Sequence, residues 1–335
     1  MSKIIGKKTV EFQNTPYILS WGAVGSKFEK EGPLGKYFDE IFENPIAEMK
    51  TWEQAESKFQ KTALKTAIKK TNLKTLDYIF AGDLLNQCVG STFGIMDYKI
   101  PFVGLYGACS TMALALINAS VFLESGIGNN VGAITSSHFC AAEKQYRFPL
   151  EYGNQRPQNA QWTATASGAV VLTNTPQKIE IFRAMVGTVQ DFGIKDTNNM
   201  GAAMAPAAAD TILQFLKDTG TSPDDYDAVF TGDLGEVGSN ILHYLCNEEG
   251  IDISSVHKDC GLMLYDRKSQ DVHSGGSGCG CSASVLCTHI LPNLQKGVYK
   301  NVLFCATGAL LSPTTAMQGE TIPSIAHLVH LRANL

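Results

Sequence analysis

The chain has no excess of basic residues. Lys and Arg number 27 against 32 Asp and Glu, a net charge of −5. Without a Lys/Arg cluster, the electrostatic footprint of a nucleic-acid binder is absent and that class is excluded. A disulfide framework is missing as well. Nine cysteines form an odd count with no regular spacing, and no secretory signal precedes them, which predicts a reducing, cytoplasmic setting. One long uncharged stretch, residues 100–123, is interrupted by Gly, Pro, Cys, Ser, Thr and Asn. It therefore divides into strand, turn and helix rather than crossing a membrane. What remains is an ordinary globular composition. With 335 residues, 44% hydrophobic and 18% charged, the chain has ample material for a core, and its length suggests two domains.

The sequence is organised around Gly107-Ala108-Cys109-Ser110-Thr111. Residues 100–105 read as a short buried strand. Residues 112–123 are too long and too free of Gly and Pro for a strand, and read as a buried helix. A cysteine at such a junction lies beside unpaired backbone N–H groups and the positive end of a helix dipole, which favours a thiolate and an anion. A small thiol packed under a turn would look the same.

The same plan recurs. Asp77-Tyr78-Ile79-Phe80-Ala81-Gly82-Asp83-Leu84 is matched by Asp227-Ala228-Val229-Phe230-Thr231-Gly232-Asp233-Leu234, and Gly126-Ile127-Gly128-Asn129-Asn130-Val131 by Gly297-Val298-Tyr299-Lys300-Asn301-Val302. A second small-residue turn, Ser277-Gly278-Cys279-Gly280-Cys281-Ser282, stands where the duplication expects it. The chain thus reads as two β/α halves, 1–175 and 176–335.

Strands are expected at 9–12, 16–20, 77–81, 130–135, 162–172, 178–182, 227–231, 301–306 and 325–329. Helices are expected at 52–70, 205–217 and 284–295. Residues 22–39 read as a Gly-rich loop. Residues 138–157 have no counterpart in the second half, and such an irregular insertion reads as a lid or pocket rim.

Two β/α halves, each with a small-residue turn into a buried helix, and Ala-Cys-Ser-Thr at the first turn, resemble the thiolase and ketoacyl synthase superfamily. The resemblance implies a five-layered αβαβα sandwich and matches Cys109 to the acyl-accepting cysteine. Two departures oppose that chemistry. The proton-shuttle and oxyanion positions of the enzymes fall on Gly232, followed by Asp233, and on Ser277. Neither Gly nor Ser replaces an imidazole, and a carboxylate beside a developing oxyanion works against it. His138 and His273, in adjoining loops, are the available substitutes.

A longer resemblance covers the whole chain. Ser136-Ser137-His138-Phe139-Cys140, Gln145-Tyr146-Arg147-Phe148-Pro149-Leu150-Glu151-Tyr152-Gly153, Gln155-Arg156-Pro157, Gln161-Trp162-Thr163 and Gly82-Asp83-Leu84-Leu85-Asn86-Gln87 are similar to the stage V sporulation AD family. The resemblance implies a component that binds dipicolinic acid or its calcium chelate. It would be docked peripherally at the inner spore membrane beside the other stage V sporulation A membrane proteins.

A flat ring with two carboxylates needs a slot, N–H donors and cations. Arg147 and Arg156 are the expected cations, with Lys144 a weaker one. Asp83 and Asp233 would repel a bare dianion but would suit calcium carried in as part of the ligand. No resident cofactor or metal is expected. The expected ligand site comprises Asp83, Cys109, Ser136, His138, Arg147, Arg156, Asp233, His273 and Ser277. Two alternatives stand beside it: an acyl-thioester condensing or acyl-transfer enzyme using Cys109, and a scaffold with a vestigial pocket. The strand before Cys109 is the expected contact of a homodimer.

Overall fold

A computed structural model describes residues 2–147 and 155–334. The middle of the predicted insertion, 148–154, lies outside them. Ten strands carry the duplication. The first half holds β1 (Tyr17–Ser26), β2 (Tyr78–Gly82), β3 (Phe102–Gly104), β4 (Asn130–Ser137) and β5 (Ala166–Thr173). The second holds β6 (Ile179–Met185), β7 (Ala228–Thr231), β8 (His257–Asp259), β9 (Asn301–Ala309) and β10 (Ser324–Ala333). In space they run 1-5-4-2-3 and 6-10-9-7-8, so every strand has its counterpart five later. The pairing sense repeats too. β2 is parallel to β3 and β4 while β5 is antiparallel to β4 and β1, and the second half follows the same rule. The halves join where Tyr17 and Ile18 of β1 pair with Glu180 and Ile179 of β6.

A shared local device explains the matched sequences. Asp77 accepts the N–H groups of Asn129 and Asn130 at 2.8 and 3.0 Å, and Asp227 those of Lys300 and Asn301 at 2.6 and 2.9 Å. Each carboxylate thereby ties the start of one parallel strand to that of its neighbour.

Six helices complete the layers: α1 (Trp52–Lys69), α2 (Thr111–Glu124), α3 (Phe139–Arg147), α4 (Met200–Thr219), α5 (Gly235–Glu248) and α6 (Cys279–Val285). α1 covers the outer face of β1, β4 and β5, and α4, packed on α5, covers β9 and β10. Between the half-sheets, α2 touches β2 and β4 on one side and β9 and β10 on the other, while α6 lies on β4 and β5. Because α2 is covered from both sides, it is apolar nearly all round, with Ala113, Ala115, Leu116, Ala119 and Leu123 buried. This is the expected αβαβα sandwich. No helix among the described residues is long and apolar enough to cross a membrane.

Several boundaries differ from the sequence reading. β1 continues to Ser26 through residues read as loop, because its glycines serve close packing. A Cβ on Gly22 would lie 2.7 Å from the Ala63 carbonyl oxygen of α1. Gly22→Ala is therefore expected to destabilise the fold by about 1–3 kcal/mol, read as a lower urea midpoint at unchanged slope.

The insertion opens as a helix, α3, rather than as an irregular loop. The 162–172 strand is two pieces. Trp162–Thr163 pairs with Gly276–Ser277, and β5 starts afresh at Ala166. α6 begins at Cys279, before the expected 284, and α5 was not foreseen.

Candidate binding pocket beside Cys109

The chain leaves β3 and enters α2 through a strained turn. Ala108 has φ +50°, a left-handed conformation that a residue with a Cβ seldom adopts. Hydroxyls hold the turn in place: Ser110 Oγ donates to the Gly107 carbonyl at 2.6 Å and Thr111 Oγ1 to that of Ala108 at 2.6 Å. Cys109 is thus fixed at the head of the helix, buried, with its Sγ 3.9 Å from Ser277 Oγ.

Behind Ser277 stands Asp233, fully buried at the end of β7. Its Oδ2 accepts Ser277 Oγ at 2.9 Å and Gly278 N–H at 2.8 Å, and its Oδ1 accepts Thr307 Oγ1 at 2.8 Å. Gly278 is at φ +100°, where a side chain is disfavoured, and this turn aims its N–H at the carboxylate. Burial pushes the Asp233 carboxyl above its ordinary range, against the pull of these donors. Burial first, and then the Asp233 charge, push the Cys109 thiol well above its usual value. Of the two readings of the sequence, the geometry favours the packed thiol. The helix start is outweighed by desolvation and by a neighbouring carboxyl, so Cys109 is a thiol.

The pocket in front of Cys109 is a narrow one, with a cavity volume of about 80 Å³. Ala108, Cys109 and Ser277 form one end, with Gln161 and Thr163 beside them. Leu84, Met200, Met204 and Leu311 supply apolar walls. α3 supplies the polar rim: Glu143, Tyr146 and Arg147 line it, facing Asn198. Arg147 Nε lies 2.9 Å from a Glu143 carboxylate oxygen, and its guanidinium donates to Asn198 Oδ1. Burial raises the Glu143 carboxyl while Arg147 opposes the rise. Gln161 Nε2 donates to the carbonyls of Asp233 and Gly276 at 2.6 and 2.8 Å, leaving its buried Oε1 without a partner. No histidine and no lysine lines this pocket among the described residues.

The family model for stage V sporulation protein AD (SpoVAD) matches residues 6–332. The chain belongs to the SpoVAD family. It is 46% identical over 327 residues to the stage V sporulation protein AD of Bacillus subtilis (strain 168), covering 97% of this chain and 96% of that one. Among solved structures it is similar to 3-oxoacyl-[acyl-carrier-protein] synthase III from Aquifex aeolicus VF5. There the TM-score is 0.57 at 17% identity, covering 95% of this chain and 99% of that one. Human mitochondrial 3-ketoacyl-CoA thiolase in complex with CoA gives a TM-score of 0.56 at 12% identity, covering 100% and 99%. At such identities these structures establish the thiolase-like fold alone.

Of the nine residues expected at the site of this SpoVAD-family protein, Cys109, Arg147 and Ser277 line the pocket and Asp233 stands directly behind it. Five are placed elsewhere. Asp83 is a loop cap, accepting Leu85 N–H, Ser91 N–H and Ser91 Oγ at 2.9, 2.7 and 2.6 Å. Ser136 faces α1, bonded to Glu56 and Gln60 at 3.1 Å each. His138 Nδ1 accepts Ala141 N–H at 3.4 Å, so Nε2–H donates to the Pro45 carbonyl at 3.0 Å. Burial keeps that ring neutral.

His273 bridges the Pro157 carbonyl and Asp271, both at 2.7 Å, so neither histidine replaces the missing shuttle. Arg156 donates to the Asp271 carbonyl at 2.6 Å and lies 4.9 Å from the centre of the Trp162 ring. Lys144 pairs with Glu53 at 2.7 Å. The calcium expectation meets the same geometry. Asp83 and Asp233 are each occupied by three donors of their own chain, and no group of three or more His, Cys, Asp or Glu able to hold a metal occurs among the described residues.

The sequence reading missed Gln161, Glu143, Tyr146 and Asn198. The i,i+4 spacing of Glu143 and Arg147 was the available signal for a helical rim.

Behind the site, Glu56 Oε1 accepts Ser136 Oγ while Oε2 has no partner. Burial first, and then the Asp83 charge, push its carboxyl well above the ordinary 4.5. Between that value and the higher folded one, the folded state binds the extra proton. Stability therefore falls as pH rises, by at most about 1.4 kcal/mol per pH unit. Glu56→Gln is expected to flatten that slope and to raise stability at pH 8, in urea unfolding across a pH series. An unchanged slope would contradict it.

Proposed function

We propose that the pocket beside Cys109 binds dipicolinate and carries out no acyl transfer. The observation that carries this reading is the Cys109–Ser277–Asp233 arrangement. A thiol held protonated by burial and by a carboxyl has no imidazole on the wall to activate it. Its apolar walls can take a ring and the Arg147 guanidinium a carboxylate, which supports this reading. Because Asp83 and Asp233 are occupied, the ligand taken up is free dipicolinate rather than its calcium chelate. The protein acts as a peripheral component at the inner spore membrane, held there by the stage V sporulation A membrane proteins.

A calorimetric titration with dipicolinate, with and without calcium, tests the reading. Saturable binding independent of calcium is expected, and no heat of binding under either condition would remove it. With acetyl- or acetoacetyl-coenzyme A, intact mass should show no acyl group on Cys109. Acylation followed by turnover would instead favour the enzyme reading.

The protein pairs with a second copy along β3. This strand ends the first half-sheet, and pairing would cover its open edge. Light scattering at tens of micromolar is expected to give twice the chain mass, and a monomer mass counts against the pairing.

A further inference from the structure

A second titratable cluster lies outside the pocket, on the far side of the turn that carries Asp233. The register of β7 and β8 sets Val229 beside His257 and Thr231 beside Asp259. On their shared face His257 Nε2 lies 2.8 Å from Thr231 Oγ1, and Thr231 Oγ1 lies 2.7 Å from Asp259 Oδ2. From α5, His243 Nε2 reaches His257 Nδ1 at 2.8 Å. His243 and His257 border a surface pocket of about 370 Å³, and Asp259, at its inner end, is only 2% exposed.

The chemistry of the groups fixes the direction of this chain. Thr231 has one hydroxyl hydrogen, and it goes to the Asp259 carboxylate. His257 Nε2–H must then donate to Thr231, which leaves Nδ1 bare to accept Nε2–H of His243. Asp259 also accepts the N–H groups of Leu234, Gly235 and Leu262 at 2.8, 3.0 and 3.2 Å. Its four acceptor positions are therefore full, and a proton arriving from any other side would eject a partner.

We propose that His243, His257 and Thr231 form a proton relay that carries a proton from the surface to Asp259 without displacing a heavy atom. A proton binds His243 Nδ1, and His243 passes its Nε2 proton to His257 Nδ1. His257 passes its Nε2 proton to Thr231 Oγ1, and Thr231 passes its hydroxyl proton to Asp259 Oδ2. At the end Asp259 is a neutral acid donating to Thr231, which donates to His257 Nε2. His257 Nδ1–H then donates to His243. One proton has entered, both rings are neutral with exchanged tautomers, and the three N–H bonds to Asp259 survive.

The surroundings suit this endpoint. Burial, with Asp233 adding, lifts the Asp259 carboxyl to about 7. Burial and His243 push the His257 imidazolium down to about 3, so the charge does not rest there. Asp233, Cys260 and Cys281 are the titratable groups around Asp259. Glu236, paired with Arg267, and Lys258 flank the histidines, with the exposed Asp252 beyond. Neutralising Asp259 removes a negative charge next to Asp233, so surface acidity is felt at the back wall of the pocket.

Long-range proton–nitrogen correlation spectra of the full chain labelled with 15N-histidine test the relay. Between pH 8.5 and 5.5, His257 is expected to move its hydrogen from Nε2 to Nδ1 while remaining neutral, with a midpoint near 7. Thr231→Val and Asp259→Asn should each abolish the exchange, and Thr231→Ser should keep it. Should Thr231→Val fail to fold, Asp259→Asn together with the wild-type spectra still decides. A His257 that stays Nε2–H throughout, that becomes imidazolium, or that still exchanges tautomers in either blocking variant overturns the relay. None of these readouts depends on dipicolinate binding.

Discussion

Arg147→Ala is expected to weaken dipicolinate binding by one to two decades. A charge-assisted hydrogen bond contributes about 1.5–3 kcal/mol, and a decade of affinity is about 1.4 kcal/mol. Arg147 lines the pocket from the last turn of α3, oriented by Glu143 on one side and Asn198 on the other. Arg156→Ala should change affinity little, since Arg156 stands outside the pocket lining, against Asp271 and Trp162. Cys109→Ala should also bind normally, because the thiol only lines the wall, whereas Cys109→Leu should close the slot by bulk. Calorimetry gives the affinities, and melting temperatures recorded alongside separate lost binding from lost folding. Wild-type affinity in Arg147→Ala, with Cys109→Ala abolished, would move the anion site from the α3 rim to the thiol.

The contrast between the two arginines marks where sequence stops being informative. Both stand in one motif-rich stretch, and nothing in their spacing separates a pocket wall from the layer behind it. The same holds for Ser136 and Ser137, which a strand sends to opposite faces. Ser136 bonds Glu56 under α1, whereas Ser137 Oγ donates to the Ala164 carbonyl and accepts Gly280 N–H at the start of α6. The duplication was readable because Asp77 and Asp227 perform the same backbone task at the same place in each half. The pair Cys109 and Ser277 was readable because each half needs a small-residue turn into its buried helix. Gly22 misled for the opposite reason: a glycine used for close packing in a strand looks like one used for a loop. The α3 rim needed the helical period applied to residues 139–147, which read as irregular.

Asp233→Ala is expected to be the most damaging single change at the site, costing roughly 3 kcal/mol or more. It strands three donors in the interior, Ser277 Oγ, Gly278 N–H and Thr307 Oγ1, and an orphaned buried group costs about 1–3 kcal/mol. Asp233→Asn should cost less, since an amide oxygen can still accept Ser277 and Gly278 while its NH2 meets Thr307. The two substitutions also separate folding from acidity. The Asp233 carboxyl is raised above 3.8 in the fold, so its proton is held more tightly there than in the unfolded chain. That contribution to stability is complete at low pH and is lost as pH rises through the folded value. In Asp233→Asn this acid-side gain should vanish. Without a carboxyl beside it the Cys109 thiol should also ionise more readily, giving faster alkylation by iodoacetamide at fixed pH. Urea unfolding across pH measures the first effect, and mass-resolved alkylation of the folded variant measures the second. Unaltered alkylation in Asp233→Asn would mean that burial alone keeps Cys109 protonated, and the carboxyl would then be a turn-holding group without influence on the thiol.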